Sequence, residues 1–398
     1  MLSVFQRSPT TKFSPTKFDS VALLLQGGGA LGAYQAGVYE ALVEEGICPN
    51  WVAGISIGAI NCAIIAGNPL GKRVERLRQF WEMVTGDGFG DWACALGLAK
   101  PQESLEMVQG DLARSLLNHL SASIAMFRGV PGFFSPRVPS PWAYPTGAPA
   151  ATSFYDTGKL EETLEKLVDF ERINAQDGIR ISIGAVNVRS GNFAYFDTRT
   201  HVIQPKHIMA SGALPPAFSA VEIDGEYYWD GGVVSNTPLQ WALDNTPRQD
   251  TLAFQVDLWN ARGELPGNVA QVETRRKEIQ YSSRTRAGTD SFKHAQRMRN
   301  AIVSMLEKLP DDLKESEEAK LLRANAERKL YNIIHLIYHA RNYEGHAKDY
   351  EFSRASMETH WRAGYNDTQR TLRHLNAFGL PTNDEGVVTF DLEHDGRE

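Results

Sequence analysis

Val52-Ala-Gly-Ile-Ser-Ile-Gly-Ala59 contains the pentapeptide Gly54-Ile55-Ser56-Ile57-Gly58, a G-x-S-x-G pattern. Short apolar residues precede it and the helix-favouring run Ala59–Ala66 follows. A strand should therefore end, turn sharply at one residue and pass into a helix. Glycines two positions either side of the serine relieve the crowding where strand and helix nearly meet. The turn would lift the Ser56 hydroxyl clear of the backbone, above a helix N-terminus that favours developing negative charge. A glycine-rich loop can match the pentapeptide by chance, so the reading rests on what flanks it.

Upstream, Val21-Ala-Leu-Leu-Leu25 is a continuous apolar run, as expected of a parallel strand buried on both faces. Gln26-Gly27-Gly28-Gly29-Ala30-Leu31-Gly32 follows, then a helix from about Ala33 to Glu45 that Gly46 can end. Gly27, Gly29 and Gly32 fit the spacing of a dinucleotide loop. The next strand, however, runs into the serine turn and carries no terminal acid, which counts against a nucleotide. The other use of such a loop is to aim main-chain N–H groups at one point. Donors so placed stabilise a tetrahedral oxyanion by about 3–4 kcal/mol each. Glycine loop and serine turn would then share the C-terminal edge of one sheet, where open α/β sheets bind ligands.

Downstream, Ile179–Val186 alternates as a strand, Ser190-Gly191-Asn192 reads as a hairpin turn into Phe193–Phe196, and His207–Ser211 as a short helix. Val221-Glu-Ile, the turn Asp224-Gly225 and Tyr227-Tyr-Trp-Asp230-Gly231-Gly232 form a second hairpin, with Asp230 at a glycine-flexed corner; Leu252–Leu258 is one more strand. A serine hydroxyl is a poor nucleophile until a base takes its proton. One of His294, His335, His339, His346, His360 or His374 could complete a triad in the order Ser, Asp, His, but all fall in helical or charged sequence. Alternatively Asp230 is itself the base, which requires burial to raise a carboxylate pKa from ~3.9. The bland reading of Asp230, an acid capping a turn beside Gly231, stands beside both.

Length allows one large or two moderate domains; 42% apolar and 22% charged residues describe an ordinary globular chain. A net charge of −7 argues against nucleic acid as partner. Cys48, Cys62 and Cys94 suit neither a disulfide framework nor a zinc site, the N-terminus lacks a signal-peptide core, and no apolar run could span a bilayer. A cytoplasmic protein is expected. Residues 101–128 read as one helix or two, with Leu105, Val108, Leu112, Leu116, Leu117 and Leu120 on one side. Gly129–Ala150 holds six prolines among Phe133, Phe134, Trp142 and Tyr144: a packed surface loop, or a lid or acyl-chain wall.

Gly27-Gly-Gly-Ala-Leu-Gly32, Gly54-Ile-Ser-Ile-Gly58, Ala210-Ser-Gly-Ala-Leu-Pro-Pro-Ala-Phe218 and Asp230-Gly-Gly232 together resemble, in that order, the patatin-like phospholipase family. The resemblance covers roughly residues 20–260. It implies a three-layer α/β/α sheet, a Ser56–Asp230 dyad without histidine, and an oxyanion hole from the Gly27, Gly28 and Gly29 amides. It also implies lipid acyl hydrolase activity, of phospholipase A type, with no cofactor and no metal. Leu31 stands where plant members carry arginine; a hydrophobic residue there is similar to many bacterial members. Two alternatives stay open: a carboxylesterase for short-chain or storage-polyester substrates, and a non-catalytic lipid-surface scaffold.

The expected organisation is a disordered leader over 1–18, a catalytic domain over 19–265 carrying the 129–150 insertion, and a mainly helical extension over 271–398. Residues 271–299 carry eight Lys/Arg against three acids, a solvated helical face or a site for anionic headgroups, hence peripheral contact with a membrane or lipid surface. Leu330, Ile333, Ile334, Ile337 and Arg341 follow helical spacing, which predicts a helix over 321–343 bearing His335 and His339 on one side. These two lack an acid or third ligand for a metal. Residues 343–353 and His360-Trp-Arg-Ala-Gly-Tyr365 look like the C-terminal extension of some bacterial family members, a resemblance that supplies no chemistry. The sequence leaves oligomeric state open.

Overall fold

The computed structural model describes residues 18–86, 111–244, 247–282, 285–326, 328–341, 344–374 and 378–392. The leader through residue 17, Cys94, Leu105 and Val108 lie outside them. A nine-stranded sheet organises the chain. Its strands are β1 (Ser20–Leu25), β2 (Trp51–Ile55), β3 (Arg180–Asn187), β4 (Phe193–Asp197), β5 (Val221–Ile223), β6 (Glu226–Asp230), β7 (Thr251–Asp257), β8 (Tyr331–Ile337) and β9 (Val387–Asp391). Six run in the parallel order β9-β8-β7-β1-β2-β3, and antiparallel β4 and the β5–β6 hairpin attach to β3.

Helices cover both faces: α1 (Ala33–Glu44), α2 (Ile57–Ala66), α3 (Arg73–Val84), α4 (Asp111–Arg128), α5 (Gly158–Leu167), α6 (Pro205–Ser211), α7 (Leu239–Asp244), α8 (Val269–Tyr281), α9 (Thr285–Glu307), α10 (Glu317–Asn325) and α11 (Arg354–Thr371). The alternation of β1 shows the layers. Val21, Leu23 and Leu25 pack with the α1, α2 and α11 side, whereas Ala22 and Leu24 pack with Leu239 and Leu243 of α7 and Phe292 of α9. This is the expected three-layer α/β/α sandwich, with a mainly helical C-terminal part.

One expectation is overturned. Residues 331–337, read as the middle of a helix, form β8, which extends the sheet parallel to β7 and β9. A strand buried on both faces presents a near-continuous apolar run, and Leu330, Ile333, Ile334 and Ile337 match a helical stripe equally well. His335 and His339 therefore share no helix face; the former lies 3.9 Å from Asp257 and the latter meets Asn260. The proline-rich stretch holds a Val130–Phe134 bridge, two-residue pairing of Ser135–Pro136 with Tyr155–Asp156 and single 3-10 turns at Pro141–Ala143 and Pro149–Ala151.

Candidate active site

Pairing along one edge of β3 brings the two motif ends together. β2 covers Arg180 to Gly184 in parallel and ends with Ile55 opposite Gly184. β6 arrives from the other end and stops with Asp230 opposite Ala185. Since β4 occupies the opposite edge, the two strand ends meet head to head, and Ser56 and Asp230 follow directly from that register.

Ser56 caps α2 with φ 56° and ψ −125°, a left-handed conformation that a β-carbon disfavours. What holds it there is crowding: a Cβ on Gly54 would lie 2.4 Å from the Gly58 carbonyl carbon, and one on Gly58 would lie 2.3 Å from the Leu25 carbonyl oxygen. Ser56 N–H donates to Ser211 Oγ at 2.9 Å, and Ser211 donates in turn to the Gly184 carbonyl at 2.6 Å.

Asp230 is 2% exposed. Its Oδ1 accepts the Gly232 N–H at 2.7 Å, so the turn-capping reading is realised, and the carboxyl lines the same cavity as Ser56. Burial pushes the Asp230 pKa up to about 7, against the opposing pull of the nearby Ser56 hydroxyl and the Gly232 N–H. Gly231 is confined between strands, since a Cβ there would meet Gly184 O at 2.9 Å and Ile55 at 3.0 Å. Among the described residues, neither Ser56 nor Asp230 has a histidine partner.

The glycine loop faces the serine: a Cβ on Gly27 would come within 3.0 Å of Ser56 Cβ. The Gly27 N–H meets the Asn236 carbonyl at 3.4 Å, whereas among the described residues no main-chain acceptor meets the Gly28 or Gly29 amide. Gly32 admits Ile57 and Trp81, whose atoms a Cβ would crowd to 2.5 and 3.0 Å. Ser56, Asp230, Gly27, Gly28, Gly29 and Gly232 line one cavity of about 660 Å³.

The cavity has two characters. Phe133 and Phe134 from the proline-rich stretch, with Tyr155, Phe218 and Phe352, meet tilted or edge to face at centroid distances of 5.0–6.4 Å and form an apolar wall. Glu273, Arg276, Lys277, His346 and Asp349 give a charged rim. His346 is the only histidine among the described lining residues; burial and the neighbouring His119 lower its pKa. Sequence reasoning missed the roles of Ser211 and Asn236 and, beyond a candidate headgroup site over 271–299 and His346 as a triad candidate, the contact of residues 273–281 and 346–352 with the cavity. Ser211 and Asn236 lie in segments flanking Asp230 and were visible as polar residues near a motif. The basic run over 271–299 marks the C-terminal residues, but no local pattern shows that they reach the glycine loop. Among the described residues no helix is long and apolar enough to cross a membrane, and no group of three or more His, Cys, Asp or Glu is clustered to hold a metal.

A family model described as patatin-like phospholipase matches residues 23–243, and a second, described as patatin phospholipase, matches 279–384. A triacylglycerol lipase of Arabidopsis thaliana is 44% identical over 48 residues, 12% of this chain and 6% of that protein. An uncharacterized NTE family protein of Mycobacterium bovis is 33% identical over 103 residues, 25% of this chain and 17% of that protein. The chain thus spans only a small part of both curated relatives. VipD from Legionella pneumophila aligns over 94% of this chain and 71% of its own, at 16% identity and a TM-score of 0.39.

Proposed function

The chain belongs to the patatin-like phospholipase family, and on that premise we propose that it hydrolyses lipid acyl esters through Ser56 and Asp230 alone. The Asp230 carboxylate accepts the Ser56 proton as Oγ attacks the ester carbonyl. The carbonyl oxygen becomes an oxyanion facing the Gly28 and Gly29 amides, with Gly27 shaping the loop. Collapse breaks the ester bond, the proton passes from Asp230 to the leaving alcohol, and an acyl-enzyme remains. Water then repeats the sequence, giving its proton to Asp230 and releasing the fatty acid. The observation that carries this reading is the buried Asp230 carboxyl brought by the strand register into one cavity with Ser56, with a pKa near the pH at which a base is useful. The wall of Phe133, Phe134 and Phe218 supports an acyl chain as its occupant. The charged rim favours a second reading, a soluble or short ester with polar groups of its own.

A fluorophosphonate probe should label wild type and fail on Ser56→Ala. Asp230→Asn should lower kcat by about 10³-fold or more, while His346→Gln stays within a few-fold. Collapse of the His346 variant would argue for a triad, and an unlabelled wild type for the scaffold. Esters of rising chain length decide the substrate: kcat/KM climbing toward long acyl chains supports the lipid, and a fall beyond butyrate supports the soluble ester. Contact with a lipid surface is part of the same proposal, with the basic stretch 271–299 as the candidate face.

A further inference from the structure

The glycine loop is gripped at both ends. At its start, the Gly27 carbonyl accepts from Asn236 Nδ2 and from Trp259 Nε1, both at 2.9 Å. At its far end the partner comes from the C-terminal third. The Asp349 main-chain carbonyl accepts the Ala30 N–H at 2.8 Å. A Cβ on Gly29 would lie 2.1 Å from that same oxygen, and Gly29 has φ +56°. Loop and strap are therefore in direct backbone contact, and neither can shift without the other.

The strap over residues 344–353 belongs to no helix or strand, so side chains must hold it. Lys277 Nζ reaches both Asp349 carboxylate oxygens, at 2.6 and 2.8 Å, and the His346 carbonyl at 3.1 Å. The ammonium also lies 5.0 Å from the Tyr350 ring centroid. Lys277 stands on α8, a helix with no buried residue, whose own seat depends on polar contacts such as Glu278 with Lys348 at 2.7 Å.

We propose that the Lys277–Asp349 pair is a positioning device for the oxyanion loop, so that residues 269–281 and 344–353 complete the catalytic centre. The inference rests on the hydrolase reading above. Magnitudes separate it from a purely structural role. The paired side chains keep 22% and 20% of their exposure, so water still reaches the pair and its contribution to stability is small. A misplacement of about 1 Å near the reacting atoms can cost about 10²-fold in rate. Breaking the pair should therefore hurt catalysis far more than folding.

The test uses the full chain and a short soluble ester, comparing Lys277→Met, Asp349→Asn and the conservative Lys277→Arg. Lys314→Met, which breaks an exposed pair with Asp311, is the control. The first two should lose about 10- to 100-fold in kcat with KM within about 3-fold. Affinity for a trifluoromethyl-ketone analogue of the tetrahedral state should fall in step with kcat/KM, melting temperature should hold, and Lys277→Arg should recover most of the rate. Unchanged kcat in an active wild-type background overturns the inference alone. So does a rise confined to KM, or a loss of rate that merely follows loss of fold. A wild type that neither hydrolyses esters nor takes the fluorophosphonate instead overturns the hydrolase reading beneath it.

Discussion

In the proposed dyad Asp230 would serve catalysis at a cost to folding, and pH exposes the conflict. Burial raises its pKa to about 7 in the folded chain, against ~3.9 for an exposed aspartate. Between those values the native state holds a proton that the unfolded state has released. The contribution of this group to stability is therefore full below about pH 4, declines as pH rises, and levels off above about 7. Under the proposed mechanism catalysis runs the opposite way, because only the carboxylate could accept the Ser56 proton, so kcat/KM should rise through about pH 7 and plateau. Asp230→Asn removes the charge while keeping the shape. It should melt above wild type at pH 8, by a margin that shrinks toward pH 5, while being inactive at both. Thermal scans at the two pH values check this; an Asn variant that melts lower at pH 8 would show that ionised Asp230 is well compensated.

At the scale of elements, glycines set where helices may cross. A Cβ on Gly37 of α1 would lie 1.9 Å from the Trp361 carbonyl oxygen, and one on Gly364 of α11 would lie 2.0 Å from that of Tyr34. The two helices thus touch backbone to backbone at reciprocal glycines. Gly364→Ala should force them apart and destabilise by about 1–3 kcal/mol, whereas Gly71→Ala, with nothing within 4 Å, should be nearly neutral. Denaturant midpoints of both variants check it, and equal midpoints would mean the helices do not touch here. The same scale shows what a sequence can reveal. The serine turn, the glycine loop and the Asp224-Gly225 hairpin, with φ values of 52° and 85°, were legible because one or two residues dictate each conformation. β8 was misread because burial on both faces erases the period that distinguishes strand from helix. Gly37, Gly364 and Asp349 were invisible for another reason: their partners lie hundreds of positions away, and no local pattern marks them.

For the whole molecule, the change of composition near residue 270 does not coincide with an edge of the sheet. β8 pairs with β7 over seven residues, from Tyr331 with Thr251 to Ile337 with Asp257, and β9 then pairs with β8. Removing them would leave β7 with a full row of unpaired N–H and C=O groups. It would also strip Ile333, Ile334 and Leu336 from the cores on the two faces of the sheet, and the loss of α11 would uncover α1. A buried aliphatic side chain contributes about 1.5–3 kcal/mol, and a domain has only about 5–15 kcal/mol to lose. We therefore expect a fragment ending at residue 265 to be insoluble or aggregated, although it retains the glycine loop, Ser56 and Asp230. Expression of residues 19–265 beside the full chain, followed by size-exclusion chromatography and a thermal melt, tests this. A soluble monomer with a cooperative transition would show that the first 265 residues fold alone; even then the loop would lack the Asp349 carbonyl that holds Ala30, and a folded fragment with full ester hydrolysis would contradict the positioning role as well.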